Sequence, residues 1–117
     1  MAPDHMAPAT RLTRRAEFLL VAGKGQKAPA PGLVLQALPR QDDAPARLGF
    51  TVTKKVGNAV RRNRTRRRLR EAARAVLAEA PLHGVDLVLI GREATAGRRF
   101  DALKDDLRRA LGRVGLR

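Results

Sequence analysis

The most regular pattern of apolar and polar positions lies in residues 47–53. Leu48, Phe50 and Val52 alternate there with glycine and threonine. Because successive side chains of a strand point to opposite faces, the alternation predicts a β-strand with one face in the core.

Two continuous apolar runs, residues 33–38 and 85–91, have the length of strands. The second is rich in β-branched residues and predicts a central strand. A polar turn at residues 39–46 separates the first run from residues 47–53, and this predicts an antiparallel pair. Residues 28–32 (APAPG) favour a stiff connector, because proline cannot continue a helix.

Three further segments predict helices. The first covers residues 12–22, with Thr13 as a possible cap. The second covers residues 59–80 behind Asn58 as N-cap, and the third covers residues 100–111 with apolar side chains at helical spacing. The order α, β, β, α, β, α predicts an α+β fold, a single-domain sandwich of a small mixed sheet with helices packed on it.

A chain of 117 residues suits one domain. We expect this domain to span residues 12–117. Residues 1–11 are interpreted as a disordered tail, and the opening Met1 to His5 resembles a vector remnant.

Charge is concentrated in one part of the chain. Lys and Arg total 25 against 11 acids, for a formal net charge of +14. Residues 47–70 hold ten of these cations and no acid, and seven are arginines between positions 61 and 70. At 100° per residue, one arc of the second helix faces the core, formed by Thr65, Leu69, Ala72, Ala73, Val76 and Ala80.

The arginines of this helix therefore cover its remaining surface, and they repel one another without a counter-charge. A solvated helix face usually mixes acids with bases, but the first acid here is Glu71. A nucleic-acid backbone would supply the missing charge. A merely solvated face, and an arginine content that reflects a GC-rich genome, are the competing interpretations.

The residue types that are absent limit the chemistry. The sequence has no Cys, Ser, Tyr or Trp, and its histidines are His5 and His83. A protein nuclease that works by general acid-base catalysis needs paired imidazoles, so we expect no catalytic side chain and no metal ligand set in the protein. Asp101, Asp105 and Asp106 resemble a metal carboxylate cluster, but we interpret them as acids that favour a helix N-terminus. Without an apolar stretch of about 20 residues, a soluble cytoplasmic protein with no membrane partner is expected.

Residues 48–71, LGFTVTKKVGNAVRRNRTRRRLRE, resemble the ribonuclease P protein family, in which a strand leads through KK-GN into a helix that carries RNR and further basic residues. Residues 12–25, LTRRAEFLLVAGKG, resemble the first helix of that family. Residues 91–97, GREATAG, followed by Phe100, resemble its last strand and helix.

The resemblance implies a left-handed βαβ crossover, against the usual right-handed rule. It also implies the non-catalytic protein subunit of an endoribonuclease ribonucleoprotein, a hydrolase of tRNA processing. The partners would be a catalytic RNA, which carries the chemistry with Mg²⁺, and precursor tRNA, with no further protein required.

Two sets of site residues follow from the resemblance. The surface for the catalytic RNA would comprise Lys54, Lys55, Asn58, Arg61, Arg62, Asn63, Arg64, Arg66, Arg67, Arg68 and Arg70. A cleft for the single-stranded 5′ leader would comprise Phe18, Val34, Gln36, Thr51 and Thr53. Ala22 and Gln36 stand where relatives often place aromatics, and this weakens base stacking in the cleft.

Three alternatives remain open at this stage. A ribosomal-type or RNA-chaperone protein would share the charge and the size. A stand-alone nuclease would cut without added RNA, and a DNA-binding protein would prefer duplex DNA to precursor tRNA.

Overall fold

The computed structural model describes residues 9–116. The strands are β1 (Thr10–Arg11), β2 (Gln26–Pro29), β3 (Leu33–Pro39), β4 (Arg47–Thr51) and β5 (Val85–Gly91). The helices are α1 (Arg15–Lys24), α2 (Ala59–Glu79) and α3 (Phe100–Arg113), with short 3₁₀ turns at Lys54–Val56 and Glu93–Ala96.

All the strands form one mixed sheet in the order β1-β4-β5-β3-β2. Strand β5 lies in the middle, as predicted, parallel to β4 and antiparallel to β3. The predicted antiparallel pair of β3 and β4 is wrong, because β5 lies between them. Strand β5 is apolar on both faces, so the most covered position in the sheet suits it best. The left-handed sense of the β4-α2-β5 crossover stays a prediction.

Both edge strands differ from the sequence prediction. The connector predicted at residues 28–32 begins inside β2, which pairs antiparallel with β3. Pro29 is tolerated there because an edge strand has one side that needs no backbone donor. Strand β1 pairs in parallel with β4, although the predicted tail reached residue 11. Residues 1–8 of that tail lie outside the described residues.

Helix α1 begins at Arg15, three residues later than predicted, and Thr13 is not its cap. The Glu17 carboxylate instead accepts hydrogen bonds from the backbone N–H groups of Thr13 (3.2 Å) and Arg14 (3.0 Å). These groups have no partner within the helix, so the carboxylate satisfies them in place of a capping hydroxyl. The helix runs to Lys24, two residues beyond the predicted end at residue 22, and Gly25 is its C-cap.

The sheet separates two apolar clusters. Helices α2 and α3 cover one face and form the main core with Leu33, Leu35, Leu87 and Leu89 of the central strands. Helix α1 covers part of the other face, where a smaller cluster is formed by Leu12, Val21, Val88, Phe18, Leu38 and Ile90. No helix within residues 9–116 covers the remainder of this second face.

The predicted core arc of α2 is confirmed for the residues that are buried, namely Thr65, Leu69, Ala72, Ala73 and Val76. Ala80 is half-buried and follows the helix as its C-cap. Close packing on β5 requires a glycine: a Cβ at Gly91 would lie 2.6 Å from the methyl carbon of Thr65. The basic helix therefore packs closely against the sheet.

The interpretation of Asp106 as an acid of the helix start is wrong. Its side chain is fully buried, and its Oδ2 accepts a hydrogen bond of 2.9 Å from the backbone N–H of Gly32. Arg98 pairs with the same carboxylate, with Nη2 at 3.0 Å from Oδ1. A buried carboxylate is tolerated only with such partners, and this one joins α3 to the turn between β2 and β3.

None of the helices in residues 9–116 is long and apolar enough to cross a bilayer.

Candidate nucleic-acid interface

The entry into α2 is fixed by local backbone chemistry. Gly57 has a φ of +143°, in a region that L side chains rarely adopt. Asn58 then caps the helix, as predicted, because its Oδ1 accepts from the backbone N–H of Arg61 at 3.0 Å. Lys54 and Lys55, in the preceding 3₁₀ turn, are both exposed. Cations therefore line the approach to the helix.

The arginines of α2 are largely without carboxylate partners. Among the described residues, only Arg67 of the seven arginines between positions 61 and 70 forms an ion pair, at 3.7 Å to Glu71. Both of these side chains are exposed, so the pair contributes little. By contrast, Arg40, Arg47 and Arg108 elsewhere in the fold each contact two carboxylates. The acids of α2 itself, Glu71 and Glu79, lie in its C-terminal half, so the stretch from residue 59 to residue 70 keeps its charge.

Two of the predicted RNA-binding arginines also serve the fold itself. Arg61 Nη2 donates to the backbone oxygen of Glu93 at 3.1 Å. Arg68 Nε donates to the backbone oxygen of Thr95 at 3.1 Å, and its Nη2 donates to that of Arg98. These bonds hold α2 to the segment before α3, and Arg68 has few donors left for a ligand.

Other α2 arginines keep free donors. Arg62, Arg66 and Arg70 follow at four-residue spacing and are half-buried. The Nε atoms of Arg62 and Arg70 are buried without a hydrogen-bond partner. Asn63 Oδ1 accepts from Arg66 Nη1 at 3.3 Å and orients that guanidinium. Planar guanidiniums with unused donors are well suited to phosphate oxygens.

Arg64 completes the predicted set on α2. Its side chain is exposed, as are those of Arg67 and Asn63. The helix thus presents both a half-buried row and an exposed row of cations.

The predicted leader cleft lies on the sheet face that α1 covers only in part. The sheet register places Thr51, Ile90 and Val34 side by side across β4, β5 and β3. All three are half-buried, which leaves them as an open floor. Thr53 is exposed just beyond the end of β4, next to the entry into α2. Ile90 was not among the predicted cleft residues; it lies on the same face of β5 as Val88.

Phe18 of α1 packs directly on this face. A Cβ at Gly49 would lie 2.5 Å from the Phe18 ring, so the glycine lets the ring lie against the sheet. Phe18 is half-buried, and Ala22 is exposed one turn later on the same helix. One ring face beside an open floor can stack on a base, and Ala22 adds no second ring.

Gln36 lies next to Val88 in the same row of the sheet and is 7% exposed. Its neighbour on the outer side is Lys27 of the edge strand β2. The sequence assigns residues 26–27 to no element, so it does not predict that Lys27 lies beside Gln36. The structure thus adds an exposed cation beside the cleft.

A charge network closes the other end of this face. Asp86 of β5 binds Arg47 of β4 and Arg40, and Arg47 Nη1 also lies 2.7 Å from Glu17 of α1. Burial raises the pKa of the Asp86 carboxyl, but hydrogen bonds from Arg47 and Arg40 outweigh it and the net pKa is lowered. Hydrogen bonds from the backbone of Arg14 and Thr13, with the nearby Arg47, also lower the pKa of Glu17. The carboxylates stay charged and hold α1 in place.

Residues 9–116 contain no group of three or more His, Cys, Asp or Glu side chains that could hold a metal ion. The fold and this surface define a class: a small α+β protein in which one side of the sheet carries a helix whose arginines largely lack carboxylate partners, and the other side carries an open cleft.

Comparison with known proteins places this class of protein in a family. A model of the family described as ribonuclease P matches residues 6–115. The ribonuclease P protein component of Gluconacetobacter diazotrophicus is 70% identical over 109 residues, which cover 93% of this chain and 94% of that protein. The same component of Paramagnetospirillum magneticum is 52% identical over 110 residues, covering 90% and 82%.

Solved structures agree with this. The RNase P protein of Staphylococcus aureus superposes with a TM-score of 0.76 at 26% identity, covering 92% of this chain and 97% of that one. The RNase P protein of Thermotoga maritima superposes with a TM-score of 0.72 at 30% identity, covering 89% and 96%. The chain belongs to the ribonuclease P protein family, and both the resemblance and the α+β fold predicted from the sequence are confirmed.

Proposed function

We propose that this chain is the protein subunit of a bacterial ribonuclease P that binds the catalytic RNA through α2 and the 5′ leader of precursor tRNA through the cleft beside α1. Family membership supports a role in tRNA processing. In this proposal the RNA carries out the cleavage with Mg²⁺ ions, which activate water and stabilise the leaving oxygen. The protein lowers phosphate repulsion and positions the substrate.

The observation that carries the proposal is the set of unpaired arginines on α2. Six of the seven arginines between positions 61 and 70 have no carboxylate within ion-pair distance among the described residues. A net charge of +14 adds to their mutual repulsion. Binding a folded RNA relieves this repulsion and releases condensed counterions, so the same charges that disfavour the free state favour the complex.

The cleft supports the second half of the proposal. Its floor of Thr51, Ile90 and Val34 is open, and the Phe18 ring forms one wall. Lys27 and Thr53 add a cation and a hydroxyl at opposite sides. A single strand fits such a surface, because a base can stack on the ring while its backbone lies near a cation.

Salt dependence tests the α2 surface. The double variant Arg64→Gln, Arg67→Gln removes two exposed cations and leaves the helix core intact. We expect the slope of log K against log salt for the catalytic RNA to fall by about 0.7 to 0.9 for each phosphate that the variant no longer neutralises. The matched control is Arg109→Gln, Arg113→Gln on α3, which removes the same charge and should change the slope much less. Equal slopes for the two double variants would count against the proposed surface.

A further inference from the structure

A groove opens at the edge of the sheet, on the side of α2 away from α3. It has a volume of about 570 Å³, within the usual range for ligand sites. Its apolar walls are formed by Leu48 and Phe50 of β4, Leu77 of α2 and Leu82. Arg70 and Arg74 of α2 also line it, together with Arg11 of β1. Neither the arginine helix surface nor the leader cleft includes these walls.

The two groove arginines that lie on α2 lack carboxylate partners. Within residues 9–116, no carboxylate lies within ion-pair distance of Arg70 or Arg74, and the Nε of Arg70 is buried without a hydrogen bond. Apolar walls alone would suit a hydrocarbon group, and cations alone would suit a phosphate. Together they fit a ligand that has a flat apolar face joined to an anion.

The groove also continues the basic surface of α2. Arg62, Arg66, Arg70 and Arg74 follow at four-residue spacing, so they form one row along the side of the helix that leads to the groove. Each turn advances about 5.4 Å. An RNA backbone that follows this row would arrive at the apolar walls.

On these grounds we propose that the groove holds one unstacked nucleotide of the catalytic RNA, with its base against Phe50, Leu77 and Leu82 and its phosphate on Arg70 and Arg74. The inference rests on the proposed function, because it requires that α2 faces this RNA. A nucleotide has the required form, a ring with apolar faces and a linked phosphate. A second copy of the chain fits less well, because it would bring two bodies of net charge +14 together.

The first test fills the groove. Ala78 is exposed and lines the groove, so Ala78→Trp places an indole where the base would lie, whereas Ala78→Ser leaves the space open. We expect the tryptophan variant to bind the catalytic RNA roughly tenfold more weakly, with an unchanged salt slope because the phosphates stay neutralised. The serine variant should bind like the parent chain. Thermal unfolding of both variants checks that the fold is kept.

Chemical probing of the RNA identifies the nucleotide. One base should be protected in complexes with the parent and Ala78→Ser chains and reactive in the complex with Ala78→Trp. If the parent chain binds the RNA and no base changes its reactivity with the tryptophan variant, the groove inference is wrong and the proposed function stands. If the parent chain does not bind the RNA, both are wrong.

The second test asks whether the groove is empty before RNA is added. The sequence has no cysteine, so Ala78→Cys gives the full chain a unique thiol. We expect this thiol to react quickly with a thiol reagent in the free protein, independently of protein concentration, and slowly in the RNA complex. Slow reaction in the dilute free protein would show that residues 1–8 fill the groove, and a rate that falls with protein concentration would show a second copy. Either result overturns the inference.

Discussion

Arg47 and Asp86 face each other across the parallel pair of β4 and β5 and form a two-pronged ion pair, with Nε 2.8 Å from Oδ1 and Nη2 2.7 Å from Oδ2. Asp86 is 3% exposed and also binds Arg40. Because Arg47 reaches Glu17 as well, the pair joins the sheet to the helix that forms the cleft wall.

Removing the Asp86 charge should destabilise the fold. In Asp86→Asn, Arg47 loses its main charged partner and Arg40 loses one of its two, at a largely buried carboxylate, and we expect the free energy of unfolding to fall by about 2 to 4 kcal/mol. Asp43→Asn, which changes an exposed acid in the loop between β3 and β4, is the matched control and should change stability by less than about 0.5 kcal/mol. Urea unfolding at neutral pH measures both. Equal midpoints for the two variants would contradict the role of Asp86.

The same carboxylate predicts a dependence on pH. The pKa of Asp86 is lowered in the folded state, so its contribution to stability is complete above its unfolded value of about 4 and is lost as the pH falls through the lower folded value. The stability difference between the parent chain and Asp86→Asn should therefore be smaller at about pH 3 than at about pH 6, with the loss beginning near pH 4. A difference that stays constant over this range would show that Asp86 does not titrate as described.

Gly49 controls the position of Phe18. In Gly49→Ala the new methyl group would meet the ring, which must move away from the sheet. We expect affinity for precursor tRNA with a leader to fall several-fold, because stacking on one ring contributes about 1 to 3 kcal/mol, while affinity for tRNA without a leader is unchanged. Gly23→Ala, with open space around the added methyl group, is the control. Equal affinity of the two variants for the leader-bearing tRNA would show that the position of Phe18 does not affect leader binding.

Arg64 and Arg68 should separate binding from folding. Arg64 is exposed, so Arg64→Gln should lower the salt slope and leave the melting temperature unchanged. Arg68 donates to backbone oxygens of Thr95 and Arg98, so Arg68→Gln should lower stability by about 1 to 2 kcal/mol. Thermal unfolding and RNA titration of both variants check this. If Arg68→Gln melts like the parent chain, its carbonyl contacts do not hold the helix.

Asp106 should be the most sensitive acid of α3. Asp106→Asn leaves Arg98 without its ion pair, and we expect a loss of about 3 kcal/mol. Asp105→Asn changes the neighbouring acid. Its carboxylate pairs with Arg108 but is exposed, so the free energy of unfolding should fall by less than about 1 kcal/mol. Similar losses in the two variants would mean that burial of Asp106 matters little.

Local patterns predicted most of the fold. Strands β3, β4 and β5 and helices α2 and α3 each carry their own periodicity or apolar run, so short windows of sequence reveal them. The order of the strands depends on contacts between distant segments, and the predicted pairing of β3 with β4 failed for that reason. The short edge strands β1 and β2 form by pairing with their neighbours. Pro29 favoured a connector over a strand, so β2 was not predicted.

The candidate site divides in the same way. The cations of α2 were predicted because a run of one charge sign is visible in the sequence. The positions of Lys27 and Ile90 in the cleft follow from the sheet register, which the sequence does not reveal. The different roles of Arg64 and Arg68 depend on the backbone oxygens of residues 93–98, to which only Arg68 of these two donates. The burial of Asp106 could not be predicted locally, because its partner Gly32 is 74 residues away along the chain.

Reconstitution tests the central claim most directly. The purified chain is mixed with the catalytic RNA and a precursor tRNA at low Mg²⁺, and the rate of 5′ leader removal is measured with and without the protein. We expect the protein to accelerate removal, the Arg64→Gln, Arg67→Gln chain to do so less, and the protein without RNA to cut nothing. RNA binding with no acceleration would indicate an RNA-chaperone role instead, and cleavage by the protein alone would contradict the account entirely.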